Sequence, residues 1–448
     1  MASGIPGDHM SKATVGAPPG TSQVRIGRLE LECGRVIEDA VLAASTYGTL
    51  NAAGTNAVIV GHSLTSDSHV HQWWSKLLSA TGTGSDGSHA EAPGHGKCLD
   101  TRRFFVVCFN YLGSCYGSSS PLTEGGFAAF PVPVTMRDQA RAMLRAARML
   151  GVNQVALAIG GSMGAMLALE IGLEGGPTMV RSVCAVAGCA RHTDWATGHS
   201  EVQRRAIFAD PLWRGGAYPA DSPPREGLGL ARMAAMLTYR TAASFESKFA
   251  RQGAHRPCPS ELEAQAGDWS TSARGTAPDG ASVDTTGGIA QAPPARKPRA
   301  GAVAADARTG SPEPTPARTA GQGASGVSLP YWSVESYLHH QGGKFPARFD
   351  PGCYVALTYT LDTHDVGRGR GGVEAALARL EVPLLVVGVD SDGLYPLGLQ
   401  QRMARAARFS TLAVLSSPHG HDGFLVEIDR LNEVIVEWMS ASGPRSRL

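Results

Sequence analysis

The chain has 448 residues, of which 43% are hydrophobic and 18% charged, a composition typical of globular proteins with a sizeable core. Its formal net charge is +1, so nothing indicates nucleic acid or an anionic membrane as a partner. It has no run of about 18 apolar residues, and we predict no transmembrane helix. The eight cysteines are scattered without paired spacing, which favours reduced thiols and a cytoplasmic location. We predict neither a metal site nor a bound cofactor.

Residues 1–22 are rich in Gly, Pro, Ser and Ala, and we predict a flexible N-terminus. Beyond them, short apolar runs predict buried strands at 57–60, 104–109, 155–159, 183–186, 384–389 and 412–415. Helical periodicity predicts helices at 137–150 and 165–172. Strands that alternate with helices predict an α/β fold, with a mostly parallel sheet covered on both faces.

The composition changes sharply near residue 251. Residues 252–329 are mostly Ala, Gly, Pro, Thr and Ser with few aliphatic side chains, so we predict a disordered insertion there. Helical patterns resume at 336–341 and 354–365. We therefore predict an α/β core formed by 23–200 and 376–442, and an inserted helical cap at 201–375 that contains the insertion.

A G-x-S-x-G pattern at residues 160–164 places Ser162 between the strand at 155–159 and a helix that begins near Met163. This strand–turn–helix context is typical of the nucleophile elbow of the α/β-hydrolase fold. Alone, the pattern also fits an ordinary Gly-rich turn, but its context favours the elbow. We therefore predict that Ser162 is a nucleophile, and a serine nucleophile needs a base.

In this fold the acid and then the base follow the serine along the chain, at the ends of later strands. The strand at 384–389 leads to Asp390 and Asp392, and the strand at 412–415 leads to His419 and His421. Position alone leaves both pairs open. His62 is a further candidate base, although it precedes the serine.

Acyl chemistry also requires backbone N–H groups directed at the developing oxyanion. We predict one from Met163, the residue after the nucleophile. The second is predicted from the loop at 61–65, which follows an early strand.

Several segments, taken in order, resemble the homoserine O-acetyltransferase family, particularly its fungal-type members, within the α/β-hydrolase superfamily. The resemblance covers residues 25–438 apart from the insertion. The matching segments are 61–70, 110–118, 160–164, 201–207 with 209–211, 361–365, 391–396 and 420–425. It implies that Asp392 is the acid, that His421 is the base and that Leu64 supplies the second oxyanion donor.

The resemblance also implies a pocket for an amino acid. Arg204 is expected to bind the carboxylate, Asp422 to contact the amino group and Tyr218 to line the same pocket. A guanidinium can hold a carboxylate through two parallel hydrogen bonds, and a carboxylate suits an ammonium group. The chain departs from the common family pattern at Ala165, where a second Gly is usual, and at Arg205, where Gln is usual.

The implied reaction is ping-pong transfer of an acetyl group from acetyl-CoA, a co-substrate, to the hydroxyl of L-homoserine in methionine biosynthesis. The implied partners are these small molecules and a second copy of the chain in a homodimer. Serine, a secondary-metabolite alcohol or a succinyl donor would suit the same scaffold. An esterase and a non-catalytic hydrolase fold are the remaining alternatives.

Overall fold

The computed structural model describes residues 10–12, 18–83, 89–91, 96–254 and 330–442. All but the first three residues of the predicted disordered insertion at 252–329 lie outside the described residues. Part of the predicted flexible N-terminus is structured instead. Residues Met10–Lys12 form a strand that pairs antiparallel with residues 22–24, because the strand beside it has an edge with open backbone hydrogen-bonding groups.

A nine-stranded sheet forms the centre of the molecule, with the order β1-β2-β3-β7-β4-β8-β9-β10-β11. Within the series β7, β4, β8, β9, β10 and β11, neighbouring strands pair in parallel. The pairs β1–β2, β2–β3 and β3–β7 are antiparallel. A separate two-stranded sheet contains β5 and β6. The strands are β1 Met10–Lys12, β2 Ser22–Glu30, β3 Val36–Tyr47, β4 Ala57–Gly61, β5 Ala80–Thr83, β6 His89–Glu91, β7 Phe105–Phe109, β8 Val155–Gly161, β9 Val183–Val186, β10 Leu384–Val389 and β11 Ser410–Leu415.

Helices cover the sheet and form a group between β9 and β10. They are α1 Val70–Trp73, α2 Met136–Met149, α3 Met163–Met179, α4 Asp194–Ala209, α5 Arg225–Tyr239, α6 Ala242–Phe249, α7 Ser333–Lys344, α8 Pro351–Asp362, α9 Val373–Ala378, α10 Leu397–Ala406, α11 Gly423–Val426 and α12 Ile428–Ser442. No helix within the described residues is long and apolar enough to span a bilayer.

The central strands are apolar because both of their faces are covered. Every residue of β4, β7, β8 and β10 is buried, which explains why these strands are continuous apolar runs rather than alternating patterns. The six predicted strands and the mostly parallel sheet are therefore present, and the predicted α/β-hydrolase fold is confirmed.

The topology brings the predicted site loops to one edge of the sheet. The carboxyl ends of parallel strands lie at the same edge, so the loops after β4, β8, β10 and β11 meet there. The helices α4 to α9 come between β9 and β10, and the cap was predicted within this part of the chain. The predicted boundaries at residues 200 and 375 fall inside α4 and α9. Each of these two helices therefore extends across a predicted boundary.

Candidate active site

Ser162 occupies a sharp turn between β8 and α3. Its φ of 58° and ψ of −120° are unusual for a residue with a side chain, and such strain is common at nucleophile elbows. The turn also requires close backbone packing, because a Cβ on Gly164 would overlap the carbonyl oxygen of Gly61 at the end of β4. The two glycines thus bring the start of α3 against the end of β4.

Ala165, which departs from the common family pattern, is accommodated by Gly188 in the loop after β9. A Cβ added to Gly188 would lie 2.5 Å from the Cβ of Ala165 and 3.1 Å from the carbonyl oxygen of Ser162. The extra methyl group therefore fits because residue 188 has no side chain.

The side chains of Ser162, His421 and Asp392 form one hydrogen-bonded chain. The Nε2 atom of His421 lies 2.8 Å from the Oγ atom of Ser162, and its Nδ1 atom lies 2.7 Å from Oδ2 of Asp392. The other carboxylate oxygen of Asp392 accepts hydrogen bonds from the backbone N–H groups of Leu394 and Tyr395, both 2.9 Å long. The acid is therefore held by its own loop while it contacts the imidazole.

The electrostatic environment favours a basic imidazole at His421. Burial alone would lower the pKa of His421, but the charge of Asp392 and its hydrogen bond raise that pKa above its usual value. Asp422 also contributes to the increase. A raised pKa makes the ring a stronger proton acceptor from the Ser162 hydroxyl.

The two competing residues at these strand ends make other contacts. Asp390 is exposed and accepts hydrogen bonds from the hydroxyl of Ser416 and the backbone N–H of Ser417. The Nδ1 atom of His419 lies 2.9 Å from Nη1 of Arg240 and 3.1 Å from Oγ of Ser244. Geometry therefore joins Asp392 and His421, rather than these neighbours, to Ser162.

The third candidate base, His62, is fully buried and lies within the loop at 61–65. Its Nδ1 atom lies 2.7 Å from the carbonyl oxygen of Ser63. Burial lowers the pKa of His62 to about 4, so the ring is neutral near pH 7. In the described structure this ring contacts the loop, not the Ser162 hydroxyl.

The loop at 61–65 and the start of α3 present unused backbone donors. Within the described part of the chain, the N–H groups of Leu64 and Met163 have no hydrogen-bond acceptor. The loop is anchored from the cap, because Nη1 of Arg348 donates to the carbonyl oxygen of Thr65 over 2.8 Å and also contacts the Tyr116 hydroxyl. Two free N–H groups beside the Ser162 turn have the chemistry required of an oxyanion hole.

Arg204 lies in a buried ion pair within the cap. Its Nη1 atom is 2.6 Å from Oδ2 of Asp362, and its Nη2 atom is 3.0 Å from Oε2 of Glu201. The guanidinium also lies over the ring of Tyr359, with its central carbon 4.4 Å from the ring centre. Protein carboxylates therefore already balance its charge.

Tyr218 also has structural partners. Its hydroxyl lies 2.9 Å from both carboxylate oxygens of Asp350, the residue that caps α8, and accepts the backbone N–H of Gly352. These contacts hold the start of α8. The Tyr218 hydroxyl thus makes its hydrogen bonds within the protein.

Asp422 is paired with Arg240, and the charge of another arginine, Arg232, which the sequence did not single out, also acts on it. The Oδ2 atom of Asp422 is 2.9 Å from Nε of Arg240, and both side chains are buried. Burial raises the pKa of Asp422, and the positive charges of Arg240, His421 and Arg232 oppose that increase. The charge of Arg232 therefore acts near the triad, next to the residue predicted to bind the amino group.

Arg232 lies on α5 and is only 3% exposed. Its guanidinium contacts the rings of Tyr239 and Phe345, and the Tyr239 ring centre is 6.3 Å from that of His421. Within the described residues no carboxylate lies at ion-pair distance from Arg232. The available sequence signal was a lone charge in the apolar stretch at 228–237, which includes residues that the structure buries.

The described residues contain no group of three His, Cys, Asp or Glu side chains that could hold a metal ion.

The alpha/beta hydrolase fold family matches residues 81–428. A homoserine O-acetyltransferase of Salinibacter ruber is 41% identical over 419 residues, which cover 92% of this chain and 95% of that protein. The chain belongs to the homoserine O-acetyltransferase family.

Two further relatives in this family are fungal. Homoserine O-acetyltransferases of Emericella nidulans and Saccharomyces cerevisiae are 37% and 35% identical, with coverage of 93% and 94% of this chain and 86% of each relative. The likeness therefore includes a bacterial member as well as the fungal ones. The crystal structure of homoserine O-acetyltransferase from Bacillus anthracis shares the fold, with a TM-score of 0.69 at 18% identity over 95% of this chain and 98% of that one.

Proposed function

We propose that this protein transfers an acetyl group from acetyl-CoA to the hydroxyl of L-homoserine. The observation that carries the proposal is the hydrogen-bonded chain of Ser162, His421 and Asp392, in a chain that belongs to the homoserine O-acetyltransferase family. A serine activated in this way is suited to form an acyl-enzyme.

In the first half of the reaction, the Ser162 hydroxyl attacks the thioester carbonyl of acetyl-CoA and its proton passes to Nε2 of His421. Asp392 keeps the imidazole in the required tautomer and stabilises the imidazolium. The N–H groups of Leu64 and Met163 donate to the tetrahedral oxyanion. His421 then protonates the departing thiolate, so coenzyme A leaves and acetyl-Ser162 remains.

In the second half, the hydroxyl of homoserine attacks the acetyl group and His421 takes the hydroxyl proton. The tetrahedral intermediate collapses to O-acetylhomoserine, and the proton returns from His421 to Ser162. Asp422 is proposed to attract the ammonium group of homoserine, as the family resemblance implies, through its Oδ1 atom, because Oδ2 is paired with Arg240.

For the carboxylate of homoserine, we propose Arg232 in place of Arg204. A buried guanidinium without a carboxylate partner is costly, so a bound carboxylate would offset that cost at Arg232. Arg204 already has Asp362 and Glu201 as partners. The contacts of Tyr218 with Asp350 likewise favour a role in supporting α8 over one in the pocket.

Thiol release from acetyl-CoA tests the proposal. Purified protein is mixed with acetyl-CoA and with homoserine, with serine or with neither, and the Ser162→Ala variant is the control. Release that depends on homoserine and disappears in the variant supports the proposal. A preference for serine would change the acceptor, and equal release without an acceptor would indicate a thioesterase. Unchanged turnover by Ser162→Ala would contradict the mechanism.

We also propose that the cap helices form a homodimer. Val202 on α4 and Leu230 and Leu237 on α5 are 55–59% exposed, although α4 and α5 pack against each other. Leu230 and Leu237 are seven residues apart and lie on one face of α5. Light scattering should give twice the monomer mass for the native chain and the monomer mass for a Leu230→Glu, Leu237→Glu variant. A monomeric native protein would contradict the proposal.

A further inference from the structure

The imidazole of His62 makes a directed contact with the peptide that follows it. The Nδ1 atom of His62 lies 2.7 Å from the carbonyl oxygen of Ser63. A carbonyl oxygen can only accept a hydrogen bond, so Nδ1 carries the proton and donates it. The ring is fully buried, and its centre lies 4.5 Å from that of the Tyr111 ring.

The carbonyl group that His62 contacts belongs to the same peptide unit as the N–H of Leu64. In a planar trans peptide, the C=O and N–H bonds point in opposite directions. The oxygen of Ser63 also accepts the backbone N–H of Ser66 over 3.2 Å. Two donors thus hold the oxygen side of this peptide, and they direct the N–H of Leu64 to the other side.

The preceding peptide, between His62 and Ser63, is also held by a hydrogen bond. The hydroxyl of Tyr111 donates to the carbonyl oxygen of His62 over 2.9 Å, which restrains the backbone from which the imidazole extends. Within the described residues, the Nε2 atom of His62 is buried and has no hydrogen-bond partner. The contact with Ser63 is therefore the only hydrogen bond that the His62 side chain makes in the described part of the chain.

We propose that His62 is a positioning residue that holds the Ser63–Leu64 peptide so that the N–H of Leu64 points at the oxyanion. This inference rests on the proposed function, in which Leu64 supplies one of the two oxyanion donors. The imidazole of His62 transfers no proton to or from the substrate, and the general base remains His421. The inference gives a role to the third histidine that the sequence left open.

Two amide substitutions test the contact because they differ in where the nitrogen lies. The side-chain nitrogen of Asn is as many bonds from Cα as Nδ1 of His, whereas that of Gln corresponds to Nε2. We expect His62→Asn to retain kcat for thiol release within about threefold. His62→Gln and His62→Leu should lower kcat by about 10- to 100-fold, less than the full loss of one oxyanion donor. The KM for homoserine should stay within about twofold in all three variants.

A transition-state analogue separates positioning from a general structural effect. The hydroxyl of Ser162 can add to the carbonyl of 1,1,1-trifluoroacetone, which gives a hemiketal whose oxygen occupies the oxyanion site. Its formation is followed by fluorine NMR, with the thermal midpoint of each variant measured alongside. We expect His62→Gln to weaken the adduct by the same factor as it lowers kcat, and His62→Asn to leave the adduct unchanged.

Equal kcat values for the Asn and Gln variants would overturn the inference, as would a lower kcat with unchanged affinity for trifluoroacetone. If the Leu variant does not fold, the comparison of kcat between the Asn and Gln variants still tests the inference. Failure of the proposed function has a separate signature, because Ser162→Ala would then keep its turnover or its adduct whatever happens at His62.

Discussion

The central guanidinium carbon of Arg232 lies 5.8 Å from the ring centre of Tyr239 and 5.1 Å from that of Phe345. Such cation–π contacts contribute about 0.5–2 kcal/mol each, which is less than the cost of burying an unpaired charge. Burial raises the pKa of the Tyr239 hydroxyl, and the charge of Arg232 opposes that increase. The pair therefore forms a buried cationic site beside the triad that is suited to an anionic group.

Removal of this charge should weaken binding of the acceptor. We expect Arg232→Met to raise the KM for homoserine by about 10- to 100-fold, because a charge-assisted hydrogen bond contributes about 1.5–3 kcal/mol. Formation of the acetyl-enzyme from acetyl-CoA should change by less than about threefold in a single-turnover measurement. An unchanged KM for homoserine would contradict the role proposed for Arg232.

Arg204 provides the matched control. Arg204→Met leaves the partly buried carboxylate of Asp362 without its arginine partner, which costs up to about 3–5 kcal/mol of stability. We expect a lower thermal midpoint, with the KM for homoserine within about threefold of the native value in the protein that remains folded. A large increase in KM with normal stability would instead support Arg204 as the carboxylate anchor.

The pH dependence of turnover should follow His421. The imidazole acts as a base only when neutral, and the pKa of His421 is raised, so kcat/KM should fall as pH falls through a value above the usual 6.5. Asp392→Asn removes the charge that raises this pKa. We expect the acidic limb of the pH profile to move to lower pH and kcat to fall by about 10⁴-fold. An unmoved acidic limb would mean that another group controls it.

The packing of Ala165 against residue 188 can be measured by a double-mutant cycle. Gly188→Ala should lower the free energy of unfolding by about 1–3 kcal/mol, because the new Cβ would lie 2.5 Å from the Cβ of Ala165. In an Ala165→Gly background the same substitution should cost less, since the close contact with the Cβ of residue 165 is removed. Equal costs in both backgrounds, measured by chemical denaturation, would exclude the contact.

Acid should destabilise the fold through buried neutral histidines. Burial lowers the pKa of His62 and His364 to about 4 and that of His192 to about 3. Below pH 6.5 the unfolded chain binds protons that the folded chain does not, so stability falls as pH decreases from 6.5 toward 4. Each histidine lowers the free energy of unfolding by at most about 1.4 kcal/mol for each unit by which the pH decreases in this range.

His364→Gln isolates one of these contributions. The Nε2 atom of His364 lies 2.9 Å from the carbonyl oxygen of Cys189, and the amide of Gln can donate from the same position without titrating. The free energy of unfolding, measured by denaturant titration at pH 7, 6 and 5, should fall less steeply in this variant. An identical slope would show that His364 does not contribute.

The sequence by itself determined the parallel strands of the sheet and the position of the nucleophile, Ser162. Apolar runs such as residues 384–389 identify strands that are covered on both faces, and the G-x-S-x-G pattern at 160–164 can be interpreted because a strand precedes it and a helix follows. These features depend on neighbours along the chain. Local pattern is therefore enough to predict them, and it also limited the acid to two candidates and the base to three.

Local pattern left some residues equivalent, and although the family resemblance implied a choice between the two aspartates, only the tertiary structure shows the contacts that distinguish such residues. Asp390 and Asp392 are two positions apart on one loop, yet only Asp392 reaches His421. Arg204 and Arg232 both lie on cap helices, but carboxylates from α4 and α8 surround the first, whereas aromatic rings surround the second. The role of a charged or polar side chain depends on the groups that face it across the fold, and these come from distant parts of the chain.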